Sequence, residues 1–563
     1  MVYNIKKIHT HIVIYTLLQV FFSYSVFGYD YNQKSYYVMP IDVVCDYPFN
    51  DTTKWVITCR IWGLLKYYHP NVTAGKFDWD QVLIDRIVKI NEAETPEQVN
   101  KELMNMIRIA GEYDISKDSI LNDSLNMNVN LCWLERSFVN DTIIQSLKKL
   151  SYLTINQPNY YIRPEGIMEY PTPFEKDYDK DVIIHYEYRL LSLFRFWNVI
   201  YYFFPNKYLM DQSWDITLYE FIPKFITAID TLSYHNAINK LSTYLNDGHG
   251  YTSVVPLYNQ FAFHHIKLID TFTIVLTPPE GSRLEKGDII LSIDGKSIHS
   301  ARDSIAALIP SSNKLFTEYA VNGWIYVSVF LGCNLTVLRN GYLMSISEER
   351  KTLSFPLDTT SAYHSISKDI GYVNLDKLKE SEIYRMMESF KNYKGIIFDL
   401  RNYPQNFHVC TLFQYISVVN EYCKGLATKV DFSHCGAFYI TEYFENCPDE
   451  LWKEQFIFNG KTVVLINAST MSKAELWAMM YKMYGATLIG TPTAGAIGRL
   501  ISFPLPGRII AGYSGIGFYY HNGSKIQRTG IIPDIEVYPT IDDVIAGRDE
   551  ILESAIKFLN SIE

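Results

Sequence analysis

Apolar and aromatic residues recur at helical spacing through much of the first 250 residues, and the same landmarks occur twice. An offset of 135 residues places Trp62 on Trp197 and Trp79 on Trp214 without a gap. Each copy has an apolar helix, a proline stop and a second helix. The pattern predicts a helical region with an internal repeat whose aromatic stripes form the core. The matched positions are Arg60, Trp62, Tyr67, Pro70, Asn71, Trp79 and Asp80 with Arg195, Trp197, Tyr202, Pro205, Asn206, Trp214 and Asp215.

The pattern changes to short strands and turns after about residue 254. Residues 286–296 are typical of a strand that runs into an Asp-Gly hairpin turn, which indicates a small β-rich module. From about Ser365 onward strands alternate with helices, which predicts a mainly parallel sheet covered by helices. The expected fold class is α/β multidomain, with a helical repeat region (29–253), a β-rich module (254–353) and an α/β domain (354–563).

The first 28 residues have the layout of a secretory signal peptide. Lys6 and Lys7 precede an apolar run from Ile12 to Phe22, and small residues follow up to Gly28. The run is shorter than the ~20 residues that span a bilayer, which favours cleavage near Gly28 over a retained anchor. We therefore expect an exported protein, periplasmic or extracellular, without a membrane span after cleavage.

Composition narrows the classes of function. Hydrophobic residues make up 48% and charged residues 20%, as in folded globular proteins. The net charge is -10 and no block of Lys and Arg occurs, so we expect no nucleic-acid partner. The eight cysteines include no C-x-x-C pair, so no metal or cofactor is indicated. Export permits disulfides, and four cysteines are close enough in sequence to pair among themselves: Cys410, Cys423, Cys435 and Cys447.

The stretch 462–476 consists of an apolar strand, a short polar turn and a helix that begins at Ser472. Ligands bind beyond the carboxyl ends of strands in an α/β sheet, and a helix N-terminus attracts anions. Ser472 is therefore a candidate nucleophile, and the N–H group of Lys473 is a candidate donor to an oxyanion. The same Ser-x-x-Glu spacing is also a capping box, in which Ser472 and Glu475 only satisfy backbone donors. Spacing alone leaves both interpretations open.

His249 lies in a glycine-bracketed turn where two predicted domains meet. Its charge changes near neutral pH, as a general base for serine requires, although a solvated loop histidine is the alternative. A second polar turn, from Asp399 to Pro404, ends another apolar strand. That turn is either held by pairing of Asp399 with Arg401, or it supplies N–H groups to an oxyanion hole beside Ser472.

These residues occur in ordered segments that resemble the carboxyl-terminal processing, or tail-specific, serine peptidase family. The resemblance is strongest to its tricorn-like branch and to exported members of the Bacteroidetes type, and it covers most of the mature chain. The segments are Asp247-Gly248-His249, residues 287–295, Gly371-Tyr372-Val373, residues 397–401, Ser472-Lys473-Ala474-Glu475, residues 490–495 and residues 530–535.

The resemblance implies a serine endopeptidase that acts on peptides or unfolded proteins through an acyl-enzyme. It implies that Ser472 is the nucleophile, that His249 is the general base, and that the module 254–353 is PDZ-like. A lysine base is excluded, because Ala496 stands where the best-known branch has that lysine.

Two departures from the family pattern concern the groups around this dyad. Gln405 and Asn406 stand where members commonly have paired glycines, so their backbone N–H groups join that of Lys473 as candidates for the oxyanion hole. The glutamate that steadies the base is not obvious near Gln527, and Glu475 is the substitute candidate. The departures also favour a rival: a catalytically weak or inactive protein that binds peptides or apolar ligands on the same fold.

Overall fold

The computed structural model describes residues 35–36, 44–113, 129–151, 153–155, 157–166, 168–254, 266–278, 281–325, 332–349, 360–417, 421–446 and 456–562. The predicted signal peptide and Cys447 lie outside these residues, as does the predicted domain boundary at 353. Within the described part of the chain, no helix has the length and the apolar character needed to cross a bilayer.

Helices dominate the region from Thr53 to Thr243, and their starts follow local sequence rules. The helix at Pro96 has proline in its first turn and a reciprocal capping box between Thr95 and Gln98. The region contains α1 (Thr53–Tyr68), α2 (Pro70–Thr73), α3 (Trp79–Asn91), α4 (Pro96–Ala110), α5 (Cys132–Glu135), α6 (Asp141–Ser151), α7 (Tyr186–Phe203), α8 (Trp214–Thr227) and α9 (Thr231–Thr243), with 3-10 turns at Lys180–Ile184 and Lys207–Leu209 and short strands β2 (Ile162–Glu165) and β3 (Tyr170–Pro173). Strand β1 (Ser35–Tyr36) precedes the region and β4 (Tyr251–Thr252) follows it.

The two sequence repeats make the same pair of hydrogen bonds. The indole N–H of Trp62 donates to the Trp79 carbonyl and that of Trp79 to the Trp62 carbonyl, both at 3.1 Å. Trp197 and Trp214 exchange the equivalent bonds at 2.8 and 3.0 Å. All four side chains are buried. Each helix pair, α1 with α3 and α7 with α8, is therefore joined at its core by indoles whose polar atoms are satisfied.

Two buried ion pairs join the repeats crosswise. Arg60 of the first copy pairs with Asp215 of the second, and Arg195 of the second pairs with Asp80 of the first. These side chains are at most 5% exposed. Because a buried charge is tolerated only when it is paired, each copy supplies the counter-charge that the other requires.

An antiparallel sheet and two helices form the β-rich module, residues 266–349. Its strands follow the order β10-β9-β7-β6-β5, and β8 pairs with β7. The predicted Asp-Gly turn joins β7 to β8, with positive φ at both Asp294 and Gly295. The elements are β5 (Ile266–Ile269), β6 (Phe272–Val275), β7 (Ile289–Ile293), β8 (Lys296–Ser297), α10 (Ile298–Ala306), α11 (Lys314–Trp324), β9 (Gly332–Arg339) and β10 (Tyr342–Glu349).

The remaining described residues form a mixed α/β domain with the elements β11 (Tyr363–Ser365), β12 (Ile370–Asn374), α12 (Glu380–Phe390), β13 (Gly395–Asp399), α13 (Val409–Phe413), β14 (Glu421–Val430), β15 (Phe438–Asn446), β16 (Lys461–Ile466), α14 (Lys473–Met483), β17 (Thr487–Gly490), β18 (Leu500–Leu505), β19 (Ile509–Ser514), β20 (Phe518–Tyr519), β21 (Ile535–Glu536), α15 (Ile541–Ala546) and α16 (Glu550–Asn560). Its main sheet has six strands. Its order is β11-β12-β13-β16-β17-β21, in which the strands from β12 to β21 are parallel neighbours and β11 is antiparallel. Helices α12 and α14 contribute to the core on one face, and α16 covers the other.

The bounds of these elements place two polar turns at the carboxyl ends of neighbouring central strands. The first turn follows β13 and the second lies between β16 and α14.

Replacing Asp215 by Asn is expected to destabilise the protein by about 3–5 kcal/mol, because it leaves the buried Arg60 guanidinium without its carboxylate. The double variant Arg60→Met/Asp215→Leu removes both charges and should recover much of this loss. Chemical denaturation of each variant measures the effect.

The matched control is Asp179→Asn, which breaks an ion pair with Arg508 whose side chains are 71% and 59% exposed. It should change stability by less than about 1 kcal/mol. A similar loss in the control and in Asp215→Asn would show that the buried pair has no special role.

Candidate active site

A short strand pairing fixes the turn that carries His249. Strand β4 pairs antiparallel with β19, so that Tyr251 lies opposite Gly512, and the Ser253 N–H donates to the Ile510 carbonyl at 2.7 Å. Because β19 ends at Ser514, His249 comes to lie beside that serine. The histidine is only 8% exposed, so it is not a solvated loop residue.

A buried carboxylate orients His249 through this serine. His249 Nδ1 lies 2.9 Å from Ser514 Oγ, and Ser514 Oγ donates to Asp247 Oδ1 at 2.8 Å. Asp247 is fully buried and also accepts the backbone N–H groups of His249 and Ser514. The order of contacts is therefore carboxylate, hydroxyl, imidazole.

The direction of these bonds assigns the tautomer of His249. The Ser514 hydroxyl has one hydrogen, which it gives to Asp247, so its oxygen accepts the hydrogen of His249 Nδ1–H. The Nε2 atom then carries a lone pair, as a general base requires. Burial lowers the pKa of His249, and the Asp247 carboxylate opposes this by raising it. The neutral, proton-accepting form is thus favoured near neutral pH.

Gln527 links this group to the segment that faces Ser472. Its Nε2 atom donates to Asp247 Oδ1 at 2.9 Å, and its Oε1 atom accepts the Ile497 N–H at 3.2 Å. The two neighbours of Ile497 contact Ser472: Ala496 through its carbonyl at 3.0 Å from Ser472 N, and Gly498 through its carbonyl at 3.4 Å from Ser472 Oγ. One short segment therefore joins the surroundings of the predicted base to the predicted nucleophile.

Ser472 has a strained backbone at the join of β16 and α14. Its φ and ψ angles are 55° and -120°, values that cost a residue with a side chain about 1–3 kcal/mol. A non-glycine residue in such a conformation on a strand-turn-helix is typical of a nucleophile that a sharp turn exposes.

The Ser472 hydroxyl does not cap the helix. The side chain makes no capping hydrogen bond, and its oxygen instead donates to the Gly498 carbonyl. Gly498 is itself required there, since its φ is 121° and a Cβ would lie 2.5 Å from the Ile516 carbonyl oxygen. Glu475 accepts the Ser472 N–H, as the predicted capping box requires, while the partly exposed Ser472 hydroxyl is hydrogen-bonded outside the helix and remains available for chemistry.

The structure places no hydrogen bond between His249 and Ser472, both of which are among the described residues. They are brought to the same region from positions 223 residues apart in the sequence. The hydroxyl is turned toward Gly498 rather than toward the imidazole.

Glu475 does not contact His249 among the described residues, so its predicted role in orienting the base does not fit this geometry. Its fully buried carboxylate accepts the N–H groups of Gly495 and Ala496 at 2.7 and 3.0 Å, together with the Thr493 hydroxyl. It also accepts the Ser472 N–H at 3.3 Å. Glu475 therefore supports the loop on which the backbone of Ser472 rests.

The turn after β13 packs against the start of α14. Thr470 Oγ donates to the Leu400 carbonyl at 3.0 Å, and the ammonium of Lys473 lies 5.2 Å from the centre of the Tyr403 ring. Arg401 points away, because its guanidinium pairs with Asp399 and with the N-cap of α16. Arg401 therefore pairs with Asp399, as one of the two interpretations of this turn expected. The backbone of the turn lies beside the start of α14, where Ser472 is the predicted nucleophile.

The three backbone donors predicted for an oxyanion hole occupy different settings. The Lys473 N–H is the first of α14, and it donates to no acceptor among the described residues. Gln405 and Asn406 are exposed, and both side chains hydrogen-bond to Asp376. Their side chains are thus engaged, and only their N–H groups stay candidates.

Within the described residues, no group of three or more His, Cys, Asp or Glu side chains is arranged to hold a metal ion.

Residues 415–537, which include Ser472, match the model of Peptidase family S41. The matched stretch therefore identifies a peptidase family S41 domain in this chain. This is the family of tail-specific peptidases that the sequence segments predicted, so the recognition is confirmed and the protein is a serine-type peptidase. No curated protein is a significant match to the sequence.

Several solved structures are similar to this S41 peptidase over most of its length. The mature form of CPAF complexed with lactacystin superposes with a TM-score of 0.53 at 13% identity, over 68% of this chain and 98% of that one. The photosystem II D1 C-terminal processing protease gives a TM-score of 0.37 at 15% identity, over 64% of this chain and 96% of that one. The tricorn protease gives 0.34 at 16%, over 66% and 36%. The CPAF match supports the multidomain α/β fold.

Sequence reasoning missed Ser514 and assigned no role to Gln527. Ser514 lies in an ordinary Tyr-Ser-Gly stretch, and only the pairing of β4 with β19 places it beside His249. Asp247 had a signal, since it is two residues before the histidine, but its partners could not be read from spacing. Contacts formed by distant strands leave no local pattern.

Removing the Glu475 carboxylate should change how the stability of the S41 peptidase depends on pH. Burial raises the pKa of Glu475 from 4.5 to about 7, against the lowering effect of its hydrogen bonds. The folded state therefore holds this proton more tightly than the unfolded state. The resulting stability is fully present below pH 4.5 and is lost as pH rises through about 7.

Glu475→Gln cannot titrate, so the stability of the wild type relative to this variant should fall by about 3 kcal/mol between these limits. Chemical denaturation of both proteins across the pH range measures the difference. A difference that does not vary with pH would contradict the raised pKa.

Proposed function

We propose that this S41 peptidase is an exported endopeptidase that hydrolyses peptide bonds through an acyl-enzyme on Ser472, with His249 as general base. The observation that carries the proposal is the strained Ser472 at the start of α14, whose hydroxyl has no capping role. His249, whose Nδ1 bonds to Ser514 and whose Nε2 is free to accept a proton, lies near residues 496–498 and supports the same chemistry.

In the proposed reaction, His249 Nε2 takes the hydroxyl proton of Ser472 as the Ser472 oxygen bonds to the substrate carbonyl carbon. The protonated imidazole then gives this proton to the leaving amine as the carbon-nitrogen bond breaks. Water then attacks the ester carbon while His249 takes a proton from it. The bond from that carbon to Ser472 Oγ breaks as His249 returns the proton to this oxygen. Asp247 stabilises the transient imidazolium through the Ser514 hydroxyl.

The Lys473 N–H is the proposed first donor to the oxyanion. It lies next to the nucleophile at a helix N-terminus, where backbone N–H groups and the helix dipole favour developing negative charge. A second donor would come from the turn after β13, with the N–H groups of Gln405 and Asn406 as candidates. The packing of Thr470 on Leu400 holds that turn beside α14.

The reaction requires the Ser472 hydroxyl to turn from the Gly498 carbonyl to His249. Its present hydrogen bond, at 3.4 Å, is long and therefore weak. Catalytic hydrogen bonds are often long or misaligned without substrate and tighten when substrate binds. Rotation of one side chain would break this contact without moving the strained backbone.

The β-rich module is the proposed PDZ-like capture site for a peptide or unfolded chain. Strands β5 and β10 are the outer strands of its sheet among the described residues, and an extended peptide can add to such an edge through main-chain hydrogen bonds. Recognition through the backbone fits substrates that are unfolded rather than defined by one side chain.

Disulfides support the proposed export to a periplasmic or extracellular location. Cys45 and Cys132 are bonded, which closes a separation of 87 residues, and Cys410 is also disulfide-bonded. Such bonds persist in oxidising compartments. Of the four cysteines expected to pair among themselves, Cys435 is free and buried.

The rival proposal is a binding protein on the same fold. The absence of a hydrogen bond between the described residues His249 and Ser472 favours it, as do Gln405 and Asn406 in place of glycines. The two proposals differ in whether Ser472 is chemically activated.

A fluorophosphonate probe tests this activation on the purified mature protein. Wild type should be labelled, Ser472→Ala should not be, and His249→Ala should react at least about 10²-fold more slowly because the general base is lost. Ser524→Ala, which removes an exposed serine, is the matched control and should react like wild type. No labelling of folded wild type would favour the binding protein.

The pH dependence of labelling tests the assignment of the base. The rate should rise as His249 loses its proton, with a midpoint below 6.5 because burial lowers the pKa of His249. Asp247→Asn should move the midpoint lower still, since Asp247 raises that pKa, and it should reduce the rate at the plateau. A midpoint that Asp247→Asn moves upward, or leaves in place, would be inconsistent with His249 as the base.

A further inference from the structure

Ser312, the residue before the N-cap of α11, is packed against the turn that carries His249. It is 1% exposed, and its hydroxyl oxygen accepts the Gly248 N–H at 2.6 Å. The contact leaves no room for a side chain at Gly248, because a Cβ there would lie 3.1 Å from Ser312 Oγ and 2.7 Å from the Cβ of Ala496. The β-rich module therefore reaches the histidine turn directly.

Asn313, the N-cap of α11, holds the loop that supports Ser472. Its Nδ2 atom donates to the carbonyls of Thr493 and Ala494, both at 3.0 Å. Its Oδ1 atom accepts the Phe316 N–H at 2.8 Å, which caps the helix. Both ends of the amide are thus engaged, one within the module and one in the α/β domain.

The loop that Asn313 contacts is hydrogen-bonded to the backbone of Ser472 and of the turn before it. The Ala494 N–H donates to the Thr470 carbonyl at 3.0 Å, and the Ala496 carbonyl accepts the Ser472 N–H at 3.0 Å. Phe316, from the first turn of α11, packs on Ala494 and Ala496 in a small buried cluster. The start of α11 therefore supports this loop through both polar and apolar contacts.

We propose that Ser312 and Asn313 are positioning residues that set the spacing between His249 and Ser472. The inference rests on the proposed function, in which His249 accepts the hydroxyl proton of Ser472. One dipeptide contacts the turn of the base on one side and the loop of the nucleophile on the other. Since no hydrogen bond joins the dyad among the described residues, its alignment depends on groups such as these behind it.

A second bridge, Gln527, lies within the α/β domain, whereas Ser312 and Asn313 belong to the module. The position of the module therefore affects how His249 and Ser472 are aligned. A displacement of α11 would change the rate of the chemical step even if it left every catalytic residue in place, because errors of about 1 Å in alignment cost up to 10²-fold in rate.

Two substitutions of Asn313 separate positioning from helix capping. Asp and Ser cap helices about as well as Asn, so a role limited to capping predicts that both variants behave like wild type. Ser loses the two donors to Thr493 and Ala494. Asp also places a carboxylate against those two carbonyls, which is repulsive. Positioning therefore predicts that Asn313→Asp is impaired more than Asn313→Ser.

The experiment measures the maximal rate constant and the apparent affinity for the fluorophosphonate probe, together with hydrogen exchange of residues 247–250 and 493–498. We expect Asn313→Ser to lower the rate constant at least about 10-fold and Asn313→Asp further, with probe affinity unchanged. Exchange should rise in 493–498 for both variants, and Ser312→Ala should raise it in 247–250. Ser297→Ala, which removes the N-cap of α10 in the same module, is the control and should match wild type.

The proposal is wrong if the Asn313 variants have the same rate constants and hydrogen exchange as Ser297→Ala. It is also wrong if Asn313→Asp and Asn313→Ser lower the rate constant equally. If wild type is not labelled at all, the proposed peptidase function fails and hydrogen exchange alone decides. Raised exchange at 493–498 in both Asn313 variants would then support the link, and unchanged exchange would refute it.

Discussion

The buried carboxylate of Asp247 is the contact on which the arrangement of this protein depends. It has no exposed surface, and it accepts hydrogen bonds from the His249 backbone, from the backbone and hydroxyl of Ser514, and from the amide of Gln527. A charge in the protein interior is tolerable only with such donors. The same carboxylate therefore joins the helical region to the α/β domain and orients the imidazole of His249. An amide at Gln527 suits it, since a second carboxylate there would repel the first.

The backbone of Ser472 is held in a costly conformation by groups that act from several directions. The Glu475 carboxylate and the carbonyl of Ala496 accept its N–H group, and the same carboxylate holds the loop of Ala496 through the Thr493 hydroxyl. Strain of this kind persists only where the surroundings over-determine the geometry. The buried Glu475 thus supports the backbone beneath Ser472, the proposed nucleophile, and its carboxylate is hydrogen-bonded to this loop.

Local sequence patterns were sufficient where local physics decides the structure. The strand-turn-helix at Ser472, the Asp-Gly turn at Asp294 and the repeated tryptophans each follow from neighbours in the sequence. The family could be predicted because its segments occur in order. The partners of His249 could not, because Ser514 reaches it through a pairing of strands more than 250 residues apart. The contact of Asn313 with the catalytic loop likewise depends on how two domains pack.

The helical region resembles a symmetric dimer whose two subunits are joined in one chain, because Arg60 pairs with Asp215 and Arg195 pairs with Asp80. Equivalent positions meet across an internal pseudo-twofold relation, so either half alone would lose the counter-charge that the other half supplies to its buried arginine and aspartate. The halves must consequently fold as one cooperative unit. Only the second half ends in the turn of Asp247 and His249, so the proposed base lies at just one of two equivalent ends of the repeat.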